Sequence, residues 1–223
     1  QNYLSNAGTE EDVSQFKKEE FAELRTLIVP HAGYIYSGKI AASAYRLLEQ
    51  NKNQFKRVLL LGPAHRVLLE GAAFPEMDAF ETPLGEITLD KELIEKILAE
   101  FSWISVSDKA HAEEHCLEVQ LPFLQETLGE FKLLPLVVGD AKTELLAALI
   151  QQFSKDHETL IVISTDLSHF HDYETAREID GRTANAIELL EQNRISTEDA
   201  CGAYPLRGAL LAASQNQWKV HRL

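Results

Sequence analysis

Cysteine is scarce in this chain. Only Cys116 and Cys201 occur among 223 residues, too few for a disulfide framework at this length, so a reduced, cytoplasmic setting is expected. Long apolar runs are missing as well. No stretch approaches the roughly 20 residues that span a bilayer, which excludes a membrane-spanning helix. Basic residues are outnumbered, 21 Lys and Arg against 35 Asp and Glu, for a formal net charge of -14. That charge repels phosphate backbones, and no basic stripe with interleaved aromatics offsets it, so nucleic acid is not an expected partner. The signatures G-x-G-x-x-G, Walker A and G-x-S-x-G are all absent. Dinucleotide cofactors and nucleoside triphosphates therefore drop out. No Pro/Gly/Ser linker divides the chain, and its length suits a single α/β domain over residues 1–223.

What the sequence does contain is one pattern written three times. Leu160, Ile161, Val162 and Ile163 form a continuous apolar run that breaks into Asp166, Ser168, His169 and His171. Such a run reads as a strand covered on both faces, with polar chemistry at its C-terminal end. Earlier, Leu27, Ile28 and Val29 lead into His31, and Val58 to Leu61 lead into His65. In an open α/β sheet, ligands bind outside the carboxyl ends of the strands, so these three histidine loops are expected to converge on one site.

Between the loops, the apolar spacing gives alternating strands and helices. Residues 1–20 are polar and read as a helix end and a loop. Residues 37–51 predict a helix with Ile40, Ala44, Leu47 and Leu48 on its inner side. Residues 71–90 predict a hairpin turning at Pro83, Leu84 and Gly85, placed as a rim over the site. Asp90 caps a helix through Glu100, and residues 103–106 form a further strand. His111, Glu113, Glu114 and His115 then precede a helix carrying Leu117, Leu121, Leu124 and Leu128, with a kink at Pro122. A strand at 132–138, a helix at 143–153, the 159–163 strand, and helices at 173–192 and 206–214 complete the reading. Residues 218–223 begin like another strand. Cys201 falls just before the last helix, where the dipole favours a thiolate.

These residue types point to a metal. Neutral imidazole is the commonest metal ligand, and two histidines with one anionic ligand leave coordination positions open. His31 and His65 supply the imidazoles. Asp166, Glu114 and Cys201 are the candidate anions, with carboxylates favouring harder ions and a thiolate favouring iron, copper or zinc. Spacing does not choose among them.

Five motifs in order, VPHAGYIYSG, LGPAHR, EEHCLEVQLPFL, STDLSHFHDY and DACGAYPL, resemble those of the Memo family, whose bacterial members are also called AmmeMemoRadiSam system protein B. That family resembles the catalytic subunit of class III extradiol dioxygenases in fold. The resemblance implies a three-layer α/β/α sandwich around a mostly parallel mixed sheet. It makes His31, His65 and Cys201 the ligands of Fe(II) or Cu, with zinc as a further candidate. It also places His169 and Asp166 beside them. On this reading the chain lacks the family's N-terminal segment and C-terminal strand, and Ala203 stands where some members have arginine.

The expected function is a redox-active, dioxygenase-like oxidoreductase acting on a small organic substrate or O2. In it, His169 is the general acid/base, Asp166 orients it, and Glu114, His115 and Tyr34 brace the site. Two other readings use the same residues. One is metal handling without turnover, and a pocket lined by Tyr34, Phe170 and Tyr173 would argue against it. The other is a phosphopeptide-binding adaptor with a protein partner, which needs an arginine cluster where the sequence offers only Arg66 and Arg207.

Overall fold

A computed structural model describes residue 4, residues 24–51 and residues 54–223. The expected helix end and loop at 1–20 lie outside the described residues, apart from Leu4. Six strands form the central sheet, in the spatial order β1 (Thr26–Val29), β8 (Thr159–Ser164), β2 (Arg57–Pro63), β7 (Lys132–Val138), β3 (Ala72–Phe74) and β6 (Ile104–Val106). The first four are mutually parallel. β3 runs antiparallel to β7 and parallel to β6. The sheet is thus mixed but mostly parallel, as the family resemblance implied.

Helices cover both faces because alternate strand residues feed two separate cores. Leu27, Val29, Val58, Leu60, Leu133, Leu160 and Val162 pack with α1 (Tyr34–Tyr45) and α4 (Leu121–Leu128). Leu59, Leu61, Leu134, Leu136, Ile161 and Ile163 face the other way, toward α2 (Lys91–Glu100), α5 (Thr143–Gln152) and α7 (Ala203–Gln215). Fully burying one such side chain contributes about 1.5–3 kcal/mol. This two-sided burial accounts for the near-continuous apolar runs of β2, β7 and β8, and it makes the molecule a three-layer α/β/α sandwich.

Several element boundaries differ from the sequence reading. The helix after β1 starts at Tyr34 and gives way at Arg46 to a 3₁₀ segment, Arg46–Asn51. Ile40 lies on its outer side, 65% exposed, while Ala41, Ala42 and Tyr45 point inward. After α3 (Asp108–His111), the chain makes a turn and a 3₁₀ segment, Glu118–Gln120, before α4. Pro122 therefore sits in the first turn of α4 and kinks nothing, since its missing N–H would be unpaired there in any case. The hairpin of β4 (Ala79–Thr82) and β5 (Gly85–Thr88) forms where expected but is not a rim over the site. Its tip bonds to Gln125 of α4, and Leu89 just beyond it bridges to Leu133 at the start of β7, away from the strands' C-terminal ends. α6 (Tyr173–Glu188) is shorter than predicted, α7 is longer, and residues 218–223 form no strand.

Candidate metal centre

The neighbouring order β1, β8, β2 puts the three polar loops side by side. β1 ends at Val29, β8 at Ser164 and β2 at Pro63, so His31, Asp166 and His65 leave the sheet at one edge of the crevice. Cys201 arrives from the opposite direction, two residues ahead of α7. Its backbone N–H donates to the Asp166 carbonyl at 3.2 Å, and its sulfur accepts from the Asp166 N–H at 3.3 Å. Gly202 is needed for this approach. A Cβ there would lie 2.7 Å from the Thr165 Cβ and 2.9 Å from the Ser164 carbonyl oxygen, while its N–H donates to the Thr165 hydroxyl at 2.9 Å.

The potential ligand atoms of His31, His65 and Cys201 all lie within 4.8 Å of one another. The His31 Nε2 is 3.3 Å from the Cys201 Sγ, and the His31 and His65 rings meet edge to face at 5.2 Å. Burial raises the Cys201 thiol, but hydrogen bonds from His31 and His65 outweigh it and bring the pKa down to about 6. Of the three candidate anions, the thiolate is thus the one that shares a face with both imidazoles.

The other two candidates serve as braces. Glu114, buried, accepts from the His65 N–H at 2.7 Å and, through its other oxygen, from the His65 Nδ1 at 2.9 Å. It also accepts from the N–H groups of His115 and Cys116, at 3.0 and 3.1 Å. Burial raises this carboxyl, yet these hydrogen bonds from the His65 ring and the backbone hold it at about 2. His65 responds in kind: hydrogen bonds to Cys201 and Glu114 raise its imidazole to about 9. His65, Glu114 and His115 also form a second possible ligand group. Its carboxylate is already engaged by three backbone donors, so we read that group as a bracket. Asp166 plays the matching part for the first loop. Its Oδ1 accepts from the N–H groups of His31 and Ala32 at 2.7 and 3.1 Å, while Oδ2 stands 3.7 Å from the His31 Nε2 and 3.9 Å from the His169 Nε2.

His169, with its side chain 44% exposed, lies at the open side of the cluster. His115 completes a triangle of imidazoles, 5.8 Å from the His31 ring and 5.6 Å from that of His65. Burial and the neighbouring charges leave its pKa lowered. The Tyr34 hydroxyl donates to the Val119 carbonyl and its ring packs on Phe123. Phe170 and Tyr173 stand exposed, so the aromatic lining expected for a substrate pocket is not assembled by these residues.

Three participants escaped the sequence reading. Ser164, the last residue of β8, lies 3.0 Å from the His31 Nδ1. Gln120 donates to Ser164 and to the Pro30 carbonyl, and Thr165 contacts Cys201 and Gly202. Ser164 and Thr165 were masked by ending an apolar run. Gln120 carried a usable signal, an amide among Leu117, Leu121 and Leu124 on an otherwise apolar stripe.

The fold and the cluster define an α/β/α protein with two imidazoles and one thiolate gathered at the C-terminal edge of a parallel sheet. Comparison with known sequences gives this class its family. The sequence profile of the family described as Memo-like protein matches residues 4–214, and the chain belongs to that family. A MEMO1 family protein of Aquifex aeolicus (strain VF5) is 40% identical over 188 aligned residues, 82% of this chain and 67% of that protein. One from Methanobrevibacter smithii is 35% identical over 193, covering 84% and 67%. One from Saccharolobus solfataricus is 29% identical over 236, covering 100% and 82%. Among solved structures, the uncharacterized protein JW3007 from Escherichia coli K12 superposes with a TM-score of 0.59 at 12% identity, over 84% of this chain and 88% of that one. This likeness concerns the fold alone. Among the described residues, no helix is long and apolar enough to cross a membrane.

Proposed function

We propose that this protein holds a redox-active metal, iron(II) or copper, on His31, His65 and Cys201, and uses it for dioxygenase-like oxidation of a small organic substrate. The observation that carries the reading is the meeting of three ligand atoms from three separate segments within 4.8 Å, each backed by a further residue. The donor set fits such an ion. A thiolate with two imidazoles suits iron, copper or zinc over magnesium or calcium, and both imidazoles have their Nδ1 engaged by Ser164 or Glu114, as metal-bound histidines characteristically do. When bound, the metal would supply one-electron redox chemistry and open positions for substrate and O2.

The chain's own residues divide the remaining work. His169 takes or gives a proton on the open side of the cluster, the task for which an imidazole is suited near neutrality. Asp166 orients it through Oδ2, while its Oδ1 holds the His31 loop. Glu114 and the backbone around it fix His65. Nothing in this arrangement forms an anion-binding arginine cluster, so a phosphopeptide-binding role has no support comparable to that for metal chemistry.

Anaerobic loading with iron(II) or copper(I), followed by O2 uptake across a panel of catechols, tests the reading. His169→Ala should keep stoichiometric metal and lose turnover. Metal binding with no O2 uptake by the wild type on any substrate would instead favour metal handling. Loss of metal from His169→Ala with retention by Cys201→Ala would reverse the two assignments.

A further inference from the structure

The hydrogen bonds behind His31 leave only one way to place their protons. Four residues, His31, Ser164, Gln120 and Tyr45, are at most 1% exposed, so no solvent enters the count. The Gln120 amide has a definite orientation. One end lies 2.9 Å from the Pro30 carbonyl oxygen, which only accepts, so the nitrogen must be there. The other end, the oxygen, then accepts from the Tyr45 hydroxyl at 2.9 Å. The same nitrogen lies 2.8 Å from the Ser164 Oγ, so Ser164 accepts that bond. Ser164 has one proton to give, and its Oγ is 2.6 Å from the Cys116 carbonyl oxygen. Two oxygens that close repel unless a hydrogen lies between them, so the serine proton goes to Cys116. The only role left toward His31 is acceptance, at 3.0 Å.

We infer that Gln120 and Ser164 are positioning residues which, held by Tyr45 and the Pro30 and Cys116 carbonyls, fix His31 with a proton on Nδ1 and its Nε2 toward Cys201. The inference rests on the reading of His31 as a ligand, but the proton's place is a property of the chain alone. It also separates the two histidines. His65 has its Nδ1 set by a carboxylate, which strengthens its donor power, whereas His31 is set by a neutral hydroxyl whose direction is imposed from three sides. The arrangement spans both elements that bound the site, since Ser164 ends β8 and Gln120 sits just before α4. In an unbiased imidazole the proton moves between the two nitrogens. Here one choice pairs His31 Nδ1, Ser164 Oγ and the Gln120 amide with one another and with the Tyr45 hydroxyl and the Pro30 and Cys116 carbonyls, and the other sets the His31 Nδ1 lone pair against the Ser164 lone pair.

Long-range proton–nitrogen NMR on the metal-free, isotope-labelled chain reads the proton directly. The His31 Nδ1 should carry a slowly exchanging proton, and it should still do so after zinc loading. A proton on Nε2 with a bare Nδ1 in the metal-free chain would overturn the inference without touching the question of metal binding. Ser164→Ala should speed exchange of the Nδ1 proton and weaken zinc binding about 10- to 100-fold, the usual effect of removing a ligand's supporting partner. Ser164→Thr, which returns the hydroxyl, should recover both. Gln120→Met gives a second route should Ser164→Ala fail to fold, because it removes the donor that orients the serine and should also mobilise the His31 proton. Zinc affinity and Nδ1 exchange unchanged in both Ser164→Ala and Gln120→Met would show that the network does not position His31. Failure of the wild type to bind zinc while the Nδ1 proton is in place would instead count against the metal reading.

Discussion

At the scale of single residues, the account turns on charges that are worth having only because of where they sit. Glu114 is held at about 2, below the usual 4.5. Its contribution to stability is complete above pH 4.5 and lost as pH falls through 2. His65, raised to about 9 from 6.5, contributes fully below pH 6.5, and that contribution is lost as pH rises through 9. The pair should therefore stabilise the metal-free chain most between pH 4.5 and 6.5, by about 1–2 kcal/mol once solvent screening on the exposed side of His65 is allowed for. Denaturant melts across pH should show the acid limb flattened and the alkaline limb, to which Cys201 also contributes, only reduced in Glu114→Gln, and an unchanged profile would contradict the bracket. The two cysteines make a second contrast. Cys201 is partly exposed with its thiol brought to about 6, whereas Cys116 is fully buried with its thiol pushed well up by burial. Mild peroxide followed by mass spectrometry should add oxygen at Cys201 first, with metal loading changing the rate there only. Equal oxidation of both would make Cys201 a structural thiol. His31, His65 and His169 were legible in the sequence because each follows an apolar run, whereas Cys201, chosen over Asp166 and Glu114 through the family resemblance, was legible as a thiol just before the last helix. Ser164 was not, since a hydroxyl at a strand end looks the same whether it faces solvent or a buried imidazole.

At the scale of elements, the site depends on β8 and α7 meeting almost backbone to backbone. Gly202→Ala would force a Cβ to within 2.7 Å of Thr165 and 2.9 Å of the Ser164 carbonyl, and α7 would have to move with Cys201 at its head. A loss of about 1–3 kcal/mol is expected from such overpacking, together with weaker metal binding. Gly181→Ala is the internal control, because nothing lies within 4 Å of the added methyl. In mid-helix it should be neutral or stabilise by up to about 1 kcal/mol. Chemical denaturation of the two variants checks both signs, and equal midpoints would remove the close-approach argument. The parallel strands were readable because burial on both faces leaves a continuous apolar run, and the polar cluster marks its C-terminal end. The helix reading failed where tertiary contacts decide. Ile40 fits an inner face by spacing but is exposed, since alanines and Tyr45 make the closer packing of α1 on the sheet. The hairpin was found and misplaced, because its sequence fixes a turn but not which end of the sheet receives it.

For the molecule as a whole, four parallel strands set the stage by delivering three loops to one edge, and a helix from the far end of the chain closes it with a thiol. No single segment carries more than one of the three ligand atoms, so metal binding should couple to the stability of the entire sandwich rather than of one loop. The formal charge of -14 favours approach of cations and disfavours anionic partners, an effect that salt should weaken. Both expectations presuppose that an ion sits on two imidazoles and one thiolate. X-ray absorption on the anaerobically iron(II)-loaded chain tests that most directly. The account predicts one sulfur scatterer together with the outer-ring pattern of imidazole, and loss of the sulfur component in Cys201→Ala. A wild-type spectrum with only nitrogen and oxygen neighbours, unchanged by Cys201→Ala, would contradict it.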